Sequence, residues 1–175
     1  RTTTPAQPQA PQSPQGWAPR SNDKVVFVAV NNSDAHRSTL ESDALKARGT
    51  DVAVIKDTAR NDTITTKDAR GVATTHDLST EAGARAFALT LGLPGEQTAK
   101  IADAIHGAGD DARDELAQIA QVWAGAEKGG QIPSRMVLSG HNVGSGTWGD
   151  DNGMLRFDQL GKLAEAMPRA ARSVQ

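Results

Sequence analysis

Three short, continuous apolar runs stand out along the chain, with helical periodicities between them. Lys24-Val25-Val26-Phe27-Val28-Ala29-Val30 is rich in β-branched residues without polar alternation, as expected of a parallel strand covered on both faces. Asn31 to Asp34 read as a turn. Asp34 or Ser38 then caps a helix to about Arg48, with Leu40, Ala44, Leu45 and Ala47 as its apolar face. Gly49 stops that helix, and Asp51-Val52-Ala53-Val54-Ile55-Lys56 follows as a second strand. Strand, helix and strand in about thirty residues make a βαβ unit with a right-handed crossover.

Residues 57–78 are rich in Thr, Asp and Ala with short apolar runs, which predicts a long loop or a small hairpin. Helical patterns cover 79–92, 96–106 and 110–128, broken by Leu93-Pro94-Gly95. In the last of these, Leu116, Ile119, Ala120 and Trp123 share one face. Gly129-Gly130 ends it, and Pro133 leads into the third apolar run, Ser134 to Ser139, which continues into Gly140-His141. Gly, Ser and Asp/Asn dominate 144–153 and predict a loop. A final helix spans about 157–172, with Leu160, Leu163, Ala164 and Met167 inward and Pro168 bending it or ending it early. This order predicts an α/β domain over residues 21–175: a mostly parallel sheet with helices on both faces.

The first twenty residues differ in kind. They hold five of the eight prolines, with Gln7, Gln9, Gln12 and Gln15 between them, and bury too little to offset their ordering entropy. Residues 1–20 therefore read as a linker or arm, free of regular structure to about residue 16 and open to early proteolytic clipping. Trp17 is the exception. A lone Trp at the end of such an arm is better explained by packing on its own domain than by a partner.

Composition narrows the picture further. The 175 residues suit one α/β domain plus a tail. Aromatics make up 3% and tyrosine is absent, so Val, Leu, Ile and Ala must fill the core. A formal net charge of −2 offers no electrostatic case for nucleic acid or an anionic membrane. No apolar stretch is long enough to span a bilayer, and no charged-then-apolar leader precedes the domain. A start at Arg1 reads as a piece of something longer. With no cysteine, the segment has no disulfide, no thiolate metal ligand and no thiol nucleophile.

The segment richest in candidate chemistry is Met136-Val137-Leu138-Ser139-Gly140-His141-Asn142-Val143-Gly144-Ser145-Gly146. A histidine at the carboxyl end of a buried strand, followed by glycines, sits where open α/β sheets place their ligand crevice. The glycines allow close backbone approach to a substrate. A loop histidine that merely bonds a neighbour is the competing explanation; the position argues for function. This segment, with the elements before it, resembles the caspase-like cysteine peptidases (caspases, clostripain, gingipains, legumain, separase). There a hydrophobic strand ends in His-Gly, and the next strand ends in the catalytic cysteine. The resemblance covers about residues 24–172. It implies that His141 is the catalytic histidine and that Gly140, Asn142 and Gly144 belong to an oxyanion and substrate loop. It further implies a peptide or protein substrate, no cofactor and no metal, and a companion segment or chain that supplies the cysteine.

Two features depart from the family. Asn142 stands where the family usually has Gly, and the chain stops at Gln175, where the cysteine-bearing strand would begin. The domain thus reads as incomplete at its C-terminus; the family's habit of proteolytic splitting and an artificial chain boundary fit this equally well. On this reading the imidazole keeps the thiol deprotonated or protonates the leaving amine, while backbone amides hold the oxyanion. Imidazoles titrate near neutral pH, which suits that role. In the family the loop after the first strand helps form the S1 pocket, here residues 31–37. Asp34 would suit a basic P1 side chain and Arg37 an acidic one, and a simple helix cap at Asp34 competes with both. A different reading makes the domain a pseudoenzyme or docking module of a larger effector protein.

Other motifs carry less. Gly140-His141-Asn142-Val143-Gly144 matches the Gly-x-Ser-x-Gly elbow of α/β-hydrolases with Asn in place of the nucleophile, and no helix can start directly after it. Asp150-Asp151-Asn152-Gly153 resembles half an EF-hand, but Trp148 and Gln159 would fall at the two positions that need carboxylates, so a tight turn is the better reading. His36 lies in the first crevice loop, His76 in a Thr-rich loop and His106 near a helix end. No pair has the HxxxH spacing of a zinc site.

Overall fold

The first apolar run forms the middle strand of a three-stranded parallel sheet. In the computed structural model, which describes residues 23–30, 35–56, 62–109, 112–149 and 153–173 (35–38 by backbone alone), β1 (Lys24–Ala29) lies between β2 (Asp51–Lys56) and a later strand, Arg135–Ser139. Both pairings are parallel: Val26 stands opposite Ala53 on one side and Met136 on the other. The three apolar runs are thus neighbouring parallel strands, as their patterning predicts. Val26, Val28 and Val30 enter the main core, while Val25, Phe27 and Ala29 on the alternate face are no more than 4% exposed. Burial of both alternations is the reason the run shows no polar period.

Helix α1 (Ala35–Ala47) joins β1 to β2 and contacts both. Its expected apolar face is not the one that turns inward. Leu40 is 56% exposed, Ala44 and Ala47 are also exposed, Leu45 is half-buried, and Ser42 is the buried residue. Alanines gain little from burial, so the crossover's docking geometry outweighs the Leu40–Ala44–Ala47 row. The Ser42 hydroxyl donates to the Thr39 carbonyl at 3.0 Å, which satisfies it inside the contact.

Within 62–78 the hairpin alternative is realised: β3 (Thr63–Lys67) pairs antiparallel with β4 (Ala73–Asp77). Helices α2 (Glu81–Thr90), α3 (Gly95–His106) and α4 (Arg113–Glu127) follow where periodicity placed them. Leu116, Ile119, Ala120 and Trp123 of α4 are fully buried, and α4 packs on β1 and β2. The Arg113 guanidinium, on a half-buried ion pair, reaches Asp62 at 3.1 Å and so ties α4 to the segment leading into β3.

Two stretches depart from their expected form. Residues 144–153 are not one loop. Residues 146–149 and 153 belong to an antiparallel meander of β6 (His141–Asn142), β7 (Gly146–Gly149) and β8 (Gly153–Arg156), with the parallel strand β5 (Arg135–Ser139) before it. Glycine here serves packing: a Cβ on Gly146 would lie 2.5 Å from the Leu155 carbonyl oxygen. The proposed tight turn at Asp150-Asp151-Asn152 lies outside the described residues. The final helix, α5 (Phe157–Ala166), stops short of Pro168 and a 3-10 turn (Ala170–Ser173) replaces its expected end. Leu160, Leu163, Ala164 and Met167 face inward as expected. The 1–20 arm also lies outside the described residues.

Two glycines in helices make opposite demands. A Cβ on Gly83 in α2 would sit 1.9 Å from the Asp77 carbonyl oxygen, whereas a Cβ on Gly161 in α5 meets nothing within 4 Å. Gly83→Ala should therefore destabilise the domain by about 1–3 kcal/mol through overpacking. Gly161→Ala should stabilise it by roughly 0.5–1 kcal/mol. Urea denaturation of the two variants checks both signs.

The start of α2 carries a pH-sensitive contact. The Asp77 carboxylate accepts from the Ser79 hydroxyl at 2.5 Å and from the Ser79 amide at 3.0 Å, and these bonds hold its pKa below the usual carboxylate value. Because the folded pKa is the lower one, this contribution is fully present above the unfolded pKa and is lost as pH falls through the folded value. Ser79→Ala removes the largest cause and should move the Asp77 titration upward, as carbon NMR of the carboxyl would read directly.

Candidate functional site at the carboxyl edge of the sheet

Parallel pairing delivers the chain ends of β1 and β5 to one edge. Ala29 stands opposite Ser139, and the Val30 amide donates to the Ser139 carbonyl at 3.0 Å. The chain leaves β1 there, and Gly140 and His141 follow β5 at the same level. The loop 31–34 and Asp34 lie outside the described residues. Arg37 is in the first turn of α1, and its side chain is likewise outside them.

Gly140 is the point at which the meander folds back on the parallel sheet. A Cβ there would come within 2.5 Å of Thr147 Cγ2, 3.0 Å of the Trp148 carbonyl oxygen and 3.5 Å of Val30 Cβ. Any side chain would push β7 off the end of β1. Thr147 and Leu155, paired across β7 and β8, are buried on the inner face of the meander. His141, Trp148 and Met154 pair in a row on the opposite face.

His141 is exposed at the carboxyl edge rather than packed in the core. Its imidazole centroid lies 5.4 Å from the Trp148 ring, tilted by 40°, and Trp148 is itself 40% exposed. The sequence draws attention to Trp148 only as a misfit at an EF-hand ligand position, not as a neighbour of His141. The Gly-Thr-Trp-Gly and Gly-Met-Leu-Arg segments flanking a Gly/Asp/Asn-rich turn carry a hairpin signal that could have found it.

The glycine loop divides in its capabilities. Asn142 Oδ1 accepts the Gly144 amide at 2.8 Å, and Gly144 adopts a left-handed φ of 83°. This turn explains why Asn can stand at 142, since its side chain closes the loop that glycines otherwise form. The Gly144 amide is thereby engaged, and the Asn142 side chain forms the turn. Because β6 runs into an antiparallel partner rather than a helix, the segment is no nucleophile elbow.

His76 and His106 stand apart from this edge. His76 is on β4 rather than in a loop; it is 7% exposed, shares a 2.9 Å hydrogen bond with Thr66 Oγ1 and meets Phe87 edge-on at 6.1 Å. That is a packing role. His106 occupies the last turn of α3, and its carbonyl accepts from Arg113 Nε at 3.1 Å. The side chain of His36 lies outside the described residues. Among the described residues no group of three or more His, Cys, Asp or Glu could hold a metal ion, and no helix is long and apolar enough to cross a membrane.

No family model, no curated protein and no solved structure matches the chain.

Gly140→Ala should cost about 1–3 kcal/mol by forcing apart β7 and the end of β1. It should also abolish the ring contact between His141 and Trp148, read as loss of nuclear Overhauser effects between the two side chains. Retention of that contact at unchanged stability would show that Gly140 is not the constraint described.

Proposed function

We propose that this chain is the histidine-bearing part of a caspase-like cysteine endopeptidase whose nucleophilic cysteine lies outside it. One observation carries the reading: an exposed imidazole directly follows the carboxyl end of β5, a parallel strand that pairs with β1 on one side and with no strand on the other among the described residues. A further parallel strand added along β5 would bring its own carboxyl end beside Gly140 and His141. A cysteine there completes a nucleophile and base pair on adjacent strand ends.

The chemistry then balances within those groups. The thiolate sulfur attacks the carbonyl carbon of the scissile peptide, and backbone amides near Gly140 receive the developing oxyanion. The His141 imidazolium gives its proton to the leaving amine as the C–N bond breaks. Water then cleaves the thioester, with His141 as base, to release the acid and restore the thiol. Trp148, against the imidazole, limits the orientations the ring can take.

In a protein completed by the cysteine-bearing segment, His141→Ala should abolish peptide cleavage with little change in the unfolding transition, because an exposed side chain contributes little burial. The 175-residue chain alone should cleave no peptide. Cleavage that survives His141→Ala would overturn the assignment and favour a pseudoenzyme or docking module.

A further inference from the structure

The same open strand has a groove behind it. Between the core-facing side of β5 and helix α5 lies a cavity of about 490 Å³, lined by Met136, Leu138, Phe157, Leu160, Ala164 and Glu165. Its walls are apolar apart from Glu165. Gly161 adds to the opening, since a side chain there would meet only empty space. Phe157, at one end, is 42% exposed.

We infer that Trp17 docks in this groove and anchors the N-terminal arm to its own domain. Residues 1–22 lie outside the described residues and join β1 at Asp23. Met136, at the start of β5, lines the groove. The Ser134 amide donates to the Lys24 carbonyl at 2.8 Å, and Met136 stands opposite Val26, so the start of β5 is one strand away from the start of β1. Adjacent strands are about 4.8 Å apart and a packed layer adds about 10 Å. The six residue steps from Trp17 to Asp23 reach about 20 Å when extended. The span is sufficient.

Chemistry selects the residue. Within 1–22 Trp17 is the only large apolar side chain; the others are Pro, Ala, Gly and polar residues. An indole buries roughly 150–250 Å² and asks for one acceptor for its N–H, which Glu165 at the rim supplies. The docking itself does not depend on the catalytic reading. Combined with it, the indole occupies space that the side chains of a strand added to β5 must enter, so completion of the site displaces the arm.

Methyl NMR of the 175-residue chain tests this, because its three methionines are Met136, Met154 and Met167. Trp17→Ala removes the indole without touching the folded core. It should shift the Met136 methyl resonance by loss of the ring current and leave the fully buried Met167 in place. Gly161→Leu, which fills the groove, should reproduce the Met136 shift expected from a leucine neighbour and make it insensitive to Trp17→Ala. With 5-fluorotryptophan, the Trp17 fluorine should move to the free-indole position in Gly161→Leu, while that of Trp123 reports that the fold is intact. A Met136 methyl unmoved by Trp17→Ala overturns the inference. So does a Trp17 fluorine already at the free-indole position in the unsubstituted chain, or one that stays protected when the groove is filled. Failure here leaves the catalytic reading untouched, since His141→Ala cleavage assays do not depend on Trp17.

Discussion

The structure depends on the parallel pairing of β1 along both of its edges. Val25 to Val30 are buried on both faces, and burial of each large apolar side chain contributes about 1.5–3 kcal/mol. That yield is available only if the sheet beneath is closed by β2 and β5 in register and covered by helices. Every other element takes its position from this arrangement. Helix α4 lays Leu116, Ile119, Ala120 and Trp123 across β1 and β2, and the Asp62–Arg113 ion pair attaches the β3–β4 hairpin to it.

Parallel pairing also decides where chemistry can occur. Strands that run the same way end on the same edge, so β1 and β5 release their chains side by side. Side chains there escape the core while remaining on rigid supports. Gly140 then lets the meander return tightly over the end of β1, which sets the His141 imidazole against Trp148. The loop glycines that suggest substrate approach are mostly occupied with this return. Gly146 admits the Leu155 carbonyl, and Gly144 closes a turn on Asn142.

The strand that presents His141 is also an edge strand, with no strand on its outer side among the described residues. An edge backed by an apolar groove favours an added strand or an inserted side chain. The proposed cysteine-bearing strand and the proposed Trp17 anchor answer the same physical demand, and they differ in which segment meets it. Competition between them would couple the state of the arm to the completion of the site.

The sequence by itself determined the elements whose patterns are long or unambiguous. The apolar runs at 25–30, 52–55 and 135–139, the amphipathic face of α4 and the helix-breaking role of Pro168 were all legible, because each reflects burial or backbone geometry that local residues dictate. The placement of His141 after an apolar strand was legible for the same reason, although β5 proves half-buried at a sheet edge rather than fully buried. Tertiary structure decided the rest. Which face of α1 turns inward depended on crossover docking, since its alanine row carried too little apolar area to choose. The meander over 141–156 was hidden because its glycines signal flexibility in a sequence, whereas here they permit contacts too close for a side chain. The pairing of His141 with Trp148 and the use of the Gly144 amide by Asn142 follow from a strand register that composition cannot express.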